Sequence, residues 1–209
     1  MKRLVIIGAG GFGRETHQWA QDMNKVNLRW NEIVFIDDNA EKYKGQNFFN
    51  KIVCSIDDYS PKANDEMICA IGDTFIKKKI CTSLEQKRVI FTNVIHPSAV
   101  ISESAKISCG VVVCPHSVVS VDSVIGKHVI INTLTSIGHD AKVKEFSTIS
   151  SHCDVMGGVS IGSNVFMGSN AIILPNKKVE NNAIVGAGSV VLRRVKEGTT
   201  VFGNPARMV

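Results

Sequence analysis

An α/β half followed by an all-β half is the fold class this sequence predicts: a small parallel βαβ domain over residues 1–93, then a three-sided parallel β-helix over residues 94–209. Three observations predict it. A glycine turn, Gly8-Ala9-Gly10-Gly11-Phe12-Gly13, joins a short apolar run to a helix-like segment. From Ile95 onward every sixth residue is aliphatic or Met. Val and Ile together supply 49 of the 209 residues against 6 Leu, and aromatics make up only 6%, a composition that favours strands.

Within the first half, Leu4–Ile7 reads as a buried strand and Arg14–Asn24 as the helix after the glycine turn. Glu32–Ile36 is a second strand, ending at Asp37 and Asp38. Glu66–Ile71 is a third, ending at Gly72 and Asp73, with a helix from about Phe75 to Gln86 after it and a fourth strand at Arg88–Phe91. Strand, glycine turn, helix, strand is the pattern of a small parallel sheet. The GxGxxG spacing permits tight turns and brings backbone N–H groups to a pyrophosphate at a helix N-terminus. With Asp37 and Asp38 about 24 residues further on, the motif alone is a dinucleotide fingerprint. Residues 1–93 make only about half a dinucleotide fold, so a mononucleotide-sized ligand suits them better than NAD.

The second half has a period of six. Ile95, Ile101, Ile107, Val113, Val119, Ile125, Ile131, Ile137 and Val143 lead seventeen hexads that run to Val191, and all seventeen positions are aliphatic or Met. Chance would produce such a run with odds on the order of 10⁻⁷. The fourth residue after each is small or β-branched, as at Ala99, Ser117, Thr135 and Cys153, with Lys177 the clear exception. One inward aliphatic and one small corner residue per six is what each flat side of a triangular prism needs. Three sides make an 18-residue coil, so residues eighteen apart stack in one column. A prism this narrow admits Ile and Val but rarely a ring, which accounts for the scarcity of aromatics.

Charge and cysteine usage exclude several classes. The net charge of +5 is spread out: 14 Lys+Arg against 12 Asp+Glu in residues 1–93, and 10 against 7 in residues 94–209. No basic stripe is interleaved with aromatics, so nucleic acid is not an expected partner. No apolar run approaches the length of a membrane span, and Leu4–Ile7 is too short for a signal peptide. A cytoplasmic chain is therefore expected. Its six cysteines, with no CxxC spacing, read as reduced thiols, and Cys109 with Cys114 does not make a zinc site, so no metal is expected.

Val124-Ile125-Gly126, Ser160-Ile161-Gly162-Ser163-Asn164, Ile184-Val185-Gly186-Ala187-Gly188-Ser189-Val190 and the closing Gly203-Asn204-Pro205-Ala206 resemble the hexapeptide-repeat acyltransferases, whose fold is a left-handed parallel β-helix. Joined to a Rossmann-like GxGxxG half, the array is similar to the sialic acid O-acetyltransferase and nucleotide-amino-sugar N-acetyltransferase family, which includes the bacillosamine-pathway acetyltransferase. The resemblance covers the whole chain. It implies a homotrimer with active sites between subunits, acetyl-CoA as co-substrate, and a first half that holds the nucleotide of a UDP- or dTDP-linked sugar.

Asn132-Thr133-Leu134-Thr135-Ser136-Ile137-Gly138-His139-Asp140 matches that family's asparagine and histidine motif. Acetyl transfer to an amine needs a base near neutral pH, a task imidazole suits. The resemblance makes His139 that base and Asp140 the carboxylate that favours its protonated form and fixes its tautomer. It makes Asn132 a hydrogen-bond partner of the acceptor or of the histidine. The 18-residue register sets the column His139, Gly157, Pro175, Arg193 beside Asp140, Gly158, Asn176, Arg194. Bare glycine beside the imidazole, and arginines three coils or roughly 14 Å away, suit an extended pantetheine arm. Its thioester would sit at His139 and its phosphates near Arg193, Arg194 and Lys196.

By resemblance, backbone groups at Ser169 and Ala187 meet the CoA arm. Thr148 stands where several relatives carry a second histidine, nine residues after the base. The same resemblance puts Gly10, Gly11 and Phe12 around the nucleotide, with Asp37, Asp38 and Gly72 nearby; Phe12 departs from the polar residue often found there. The other histidines read as structural: His116, His128 and His152 at solvent-facing positions, His17 on the first helix, His96 at the junction. The expected activity is N-acetylation of a UDP- or dTDP-linked 4-amino-4,6-dideoxy sugar in bacterial surface-glycan synthesis. A backbone N–H such as that of Gly157 would stabilise the tetrahedral intermediate. Two alternatives stay open: O-acetylation of sialic acid, and a non-catalytic scaffold that partners a glycan-pathway synthase.

Overall fold

β1 (Lys2–Ile7), α1 (Gly11–Val26), β2 (Trp30–Ile36), β3 (Ile52–Cys54), β4 (Asp65–Cys69), α2 (Thr74–Gln86) and β5 (Ile90–Phe91) succeed one another in the computed structural model, which describes residues 2–209. All five strands pair in parallel, in the order β3-β2-β1-β4-β5. Side chains of β1 alternate between two cores. Leu4 and Ile6 join Trp19 and Ala20 of α1, while Val5 and Ile7 join Cys81 and Leu84 of α2. A strand apolar on both faces is what a parallel sheet with a helix on each side requires.

The expected strands and both helices are present with shifted ends. β3 was not expected, because three residues on a sheet edge show no period. Gly13 explains the glycine turn: a Cβ there would lie 1.9 Å from the Gly8 carbonyl oxygen, so a larger residue would push α1 off the strand before it.

From Val94 the chain winds as short strands, one hexad per side. The first face runs from Val94–Ile95 to Ile184–Val185, the second from Val100–Ile101 to Val190–Val191, the third from Lys106–Ile107 to Lys178–Val179. Ile131 lies opposite Ile149 and Ile137 opposite Val155, the 18-residue register of a left-handed β-helix. Inward aliphatics from Val113 to Val191 form one buried core with fourth-position residues such as Ala141 and Val159. Ile95, Ile101 and Ile107 are only partly buried, because no coil stacks below theirs. Thr200–Phe202 and an antiparallel strand, Arg207–Met208, close the first face at the other end.

At the corners, the third residue after each inward aliphatic is left-handed from His116 to Gly188, with φ between 56° and 68°. Asn, Asp, His and Gly fill most of these places because they tolerate that backbone; Leu134 and Phe146 are bulky exceptions.

The first half covers the early coils of the first face. Val94, Val112 and Ile130 share a buried cluster with Trp19 and Trp30, and Phe146 shares another with Leu84 and Phe91. His128, expected to face solvent, is fully buried there. It stacks on Phe146 with ring centroids 5.1 Å apart, meets Phe91 edge-on, and points Nε2 at Glu85 Oε1 of α2, 3.3 Å away. Burial lowers its pKa. Thr148 departs from expectation for the same reason. Its buried Oγ1 accepts from the fully buried Lys77 Nζ at 2.7 Å, and Lys77 also donates to the Ser147 carbonyl at 3.2 Å. A hydroxyl enclosed under α2 does not reach an acyl donor.

Burial lowers the Lys77 pKa from 10.5 to about 8. The folded protein thus holds this proton less tightly than the unfolded chain, so charging Lys77 destabilises the fold at lower pH. Stability should rise with pH between those two values, and Lys77→Met should lack that rise. Urea denaturation of both proteins at about pH 7.5 and about pH 10 measures the difference; equal slopes would reject this origin.

Candidate active site

The prism edge between the second and third faces carries His139 and Asp140, then Gly157 and Gly158, Pro175 and Asn176, Arg193 and Arg194, one pair per coil. Asp140 fills a left-handed corner (φ 59°), and its Oδ2 lies 2.8 Å from His139 Nδ1. A carboxylate only accepts, so this contact puts the proton of a neutral ring on Nδ1 and leaves Nε2 its lone pair. Gly157 lies against the ring: a Cβ there would be 2.4 Å from Nε2. Both His139 and Asp140 side chains are 65% exposed, so the base opens onto solvent. The Gly158 N–H donates to the His139 carbonyl at 2.8 Å, whereas the Gly157 N–H makes no backbone hydrogen bond among the described residues.

Three coils further on, Arg193, Arg194 and Lys196 line a cavity of about 300 Å³ together with Arg207, which the terminal antiparallel strand brings in. Arg194 is also paired with Glu180. The predicted column of base, bare glycine and arginines is therefore assembled on one edge.

Asn132, Ser169 and Ala187 lie on a different edge, between the first and second faces. One side of the prism, roughly 16 Å of extended chain, separates that edge from His139, so a single chain does not bring Asn132 to the imidazole. Asn132 Oδ1 accepts from the Thr133 N–H at 2.7 Å, and the Ser169 carbonyl accepts from the Gly188 N–H at 2.8 Å.

In the first half, Gly10, Gly11, Phe12, Asp37 and Asp38 line one cavity of about 340 Å³. Gly72 stands just beyond Ala70 and Ile71, which line it while Gly72 does not. Asp37 is buried with both oxygens engaged: Oδ2 accepts from the Ala9 N–H at 2.7 Å and Oδ1 from the Asn39 N–H at 2.8 Å. It clamps the glycine turn and has no oxygen free of backbone partners. Asp38 Oδ1 accepts from the Ile56 N–H at 2.7 Å. α1 has no side-chain cap and no acid in its first turn, which leaves its N-terminal N–H groups open to an anion.

A larger cavity, about 620 Å³, lies between α1 and the β2–β3 edge. It has no part in the glycine turn. Its one imidazole, His17, accepts from Lys51 Nζ at 2.9 Å and is held neutral, its pKa lowered to about 4 by burial and then by that ammonium.

Residues 3–84 match the family described as the PglD N-terminal domain. Over 99% of this chain and 96% of the relative, the sequence is 29% identical to GDP-perosamine N-acetyltransferase of Escherichia coli O157:H7. The acetyltransferase domain of PglB from Neisseria gonorrhoeae FA1090 superposes with a TM-score of 0.91 at 28% identity, covering 100% of both chains. PerB from Caulobacter crescentus, solved in complex with CoA and GDP-perosamine, superposes at 0.89 with 25% identity over 100% of this chain and 98% of that one. In sequence and in fold this chain is similar over its whole length to nucleotide-amino-sugar N-acetyltransferases.

The cavity at the glycine turn also holds residues that the sequence did not single out. Lys42 and Tyr43 line the glycine-turn cavity, and Lys42 is the one cation among its lining residues. They sit in a one-turn helix, Ala40–Tyr43, too short to show a period. Their closeness to Asp37 and Asp38 in sequence was the available signal. Ile76 and Ile80 also line the cavity, and their i, i+4 spacing on α2 with Ile76 51% exposed marks an apolar stripe facing outward. Among the described residues no group of His, Cys, Asp or Glu is arranged to hold a metal ion, and no helix is long and apolar enough to cross a membrane.

Asp37→Asn replaces one oxygen by an NH₂ that faces a backbone donor. The substitution should destabilise the protein by about 1–3 kcal/mol in chemical denaturation and weaken nucleotide binding. Unchanged stability would reject the clamp.

Proposed function

We propose that this chain transfers the acetyl group of acetyl-CoA to the amino group of a nucleotide-linked amino sugar, in the cytoplasm, for surface-glycan synthesis. The observation that carries the reading is the His139–Asp140–Gly157 group on the prism edge, borne by the same chain as a glycine-turn cavity of mononucleotide size. Residues 94–209 perform the transfer and residues 1–93 hold the sugar nucleotide. GDP-perosamine is the sugar named for two of the relatives, so GDP joins UDP and dTDP among the nucleotides to be tried.

His139 Nε2 takes a proton from the sugar amine as the nitrogen attacks the thioester carbonyl carbon. The N–H of Gly157, the residue that lies against the ring, makes no backbone hydrogen bond among the described residues and is the donor for the oxyanion that forms. Collapse of the tetrahedral intermediate breaks the C–S bond, and the imidazolium returns its proton to the departing CoA thiolate. Asp140 holds the tautomer and offsets the imidazolium charge. No Cys or Ser nucleophile is required.

The outward residues of the second face favour a trimer. Val100, Val118, Ile172 and Val190 are apolar there, with the hydrogen-bonded pair Ser136 and Asp154 between them, whereas the third face alternates Lys106, Lys142 and Lys178 with Val124 and Ser160. Three chains packed through second faces would lay the Asn132–Ser169–Ala187 edge of one beside the His139 edge of the next, with acetyl-CoA between them.

Free-thiol release from acetyl-CoA should occur with one member of a panel of GDP-, UDP- and dTDP-linked amino sugars, and His139→Ala should abolish it with the oligomer unchanged. Turnover only with free sialic acid, or with no sugar at all, would overturn the reading. In the active protein Arg193→Glu should raise the KM for acetyl-CoA several-fold and leave that for the sugar unchanged; an unaltered acetyl-CoA KM would remove Arg193 from the donor groove.

A further inference from the structure

We infer that Asn176 binds the second amide of the pantetheine arm of acetyl-CoA, an inference that rests on the acetyl-transfer reading above. Asn176 stands on the His139 edge two coils from the base, roughly 10 Å at the spacing of stacked strands. It is exposed, and among the described residues its side-chain amide makes no hydrogen bond, while its backbone N–H donates to the Gly157 carbonyl at 3.0 Å. Elsewhere on the prism the corner asparagines Asn164 and Asn182 bond each other at 3.0 Å. The Asn176 side chain lies across Gly158, where a Cβ would come within 2.3 Å of Asn176 Oδ1. Consecutive glycines thus let the imidazole lie over Gly157 and a free primary amide lie over Gly158, next to each other on one edge.

Pantetheine has a repeat that fits this spacing. An α-amino acid residue spans at most about 3.3–3.6 Å, and the extra methylene of β-alanine adds about 1.2 Å, so its two amides recur at about 4.8 Å when extended. Stacked coils recur at the same distance. With the thioester at His139, the cysteamine unit covers the first step and the first amide falls beside Gly157 and Gly158. The second amide falls beside Asn176, and the phosphates reach Arg193 one coil further on. A primary amide pairs with a secondary amide at both ends: Nδ2 donates to its carbonyl and Oδ1 accepts its N–H.

Asparagine also suits the left-handed backbone at this corner (φ 61°), so the test must keep that backbone and remove the amide. Asn176→Gly does so. For the enzyme with its amino-sugar acceptor, kcat/KM should fall about two- to tenfold for acetyl-CoA and for acetyl-pantetheine, which has both amides and no phosphates. It should be unchanged for acetyl-N-acetylcysteamine, which retains only the first amide, and the sugar KM and Tm should also be unchanged. No loss with any donor, an equal loss with all three, or a loss confined to acetyl-CoA would each overturn the inference. If wild-type protein acetylates no amino sugar, the proposed function itself fails, before any variant is compared.

Discussion

Each hexad of the second half must return an aliphatic side chain to the inside of a triangular prism, and the 18-residue coil that results positions whatever the outside carries. Burying one Val or Ile contributes about 1.5–3 kcal/mol, so a slip that turned even a few of them outward would outweigh most surface interactions. Register is therefore rigid. His139 lies against Gly157, and Arg193 lies two coils beyond that glycine, because Ile137, Val155, Ile173 and Val191 are stacked beneath them. The corners add a second requirement, a residue that accepts left-handed backbone. Asp140 meets it and also supplies the carboxylate that orients the imidazole.

The first half is tied to this rigid body by α2. Ile76 and Ile80 of that helix line the glycine-turn cavity, while Lys77 and Glu85 reach Thr148 and His128 on the prism. A sugar nucleotide in the cavity would thereby be placed relative to the coils by α2, together with Trp19 of α1 and Trp30 of β2, which share a buried cluster with Val94, Val112 and Ile130. Asp37 performs the matching task on the other wall, where two backbone N–H groups fix the turn that α1 starts from. Buried polar groups at these points are few, and among the described residues only His128 Nδ1 lacks a partner, which suits positioning better than added stability.

How much of this was legible in the sequence depended on how local the deciding physics is. The prism was legible because every sixth residue reports its own burial, and the column from His139 to Arg193 followed by arithmetic. The glycine turn was legible because Gly13 answers a contact only five residues away, with Gly8. Thr148 and His128 were misread because their surroundings are set by α2, with Lys77 71 residues from Thr148 in the chain. β3 and the Lys42–Tyr43 turn are too short to carry a period. Asn132 shows the limit of motif matching. It stands seven residues before His139, a full prism side, so the same period that built the fold puts the two on different edges of one chain.

The stacked register also restricts how such a chain can change in length. Removing or adding eighteen residues between Gly158 and Arg193 would delete or insert a whole coil and move the arginines by about 4.8 Å along the same edge. A change of six would carry them round to another edge, and most other lengths would turn the aliphatics out of the core unless the extra residues looped out at a corner. Descendants of this sequence therefore have a reading frame in the folded state as well as in the gene, and the span between base and arginines evolves in discrete steps.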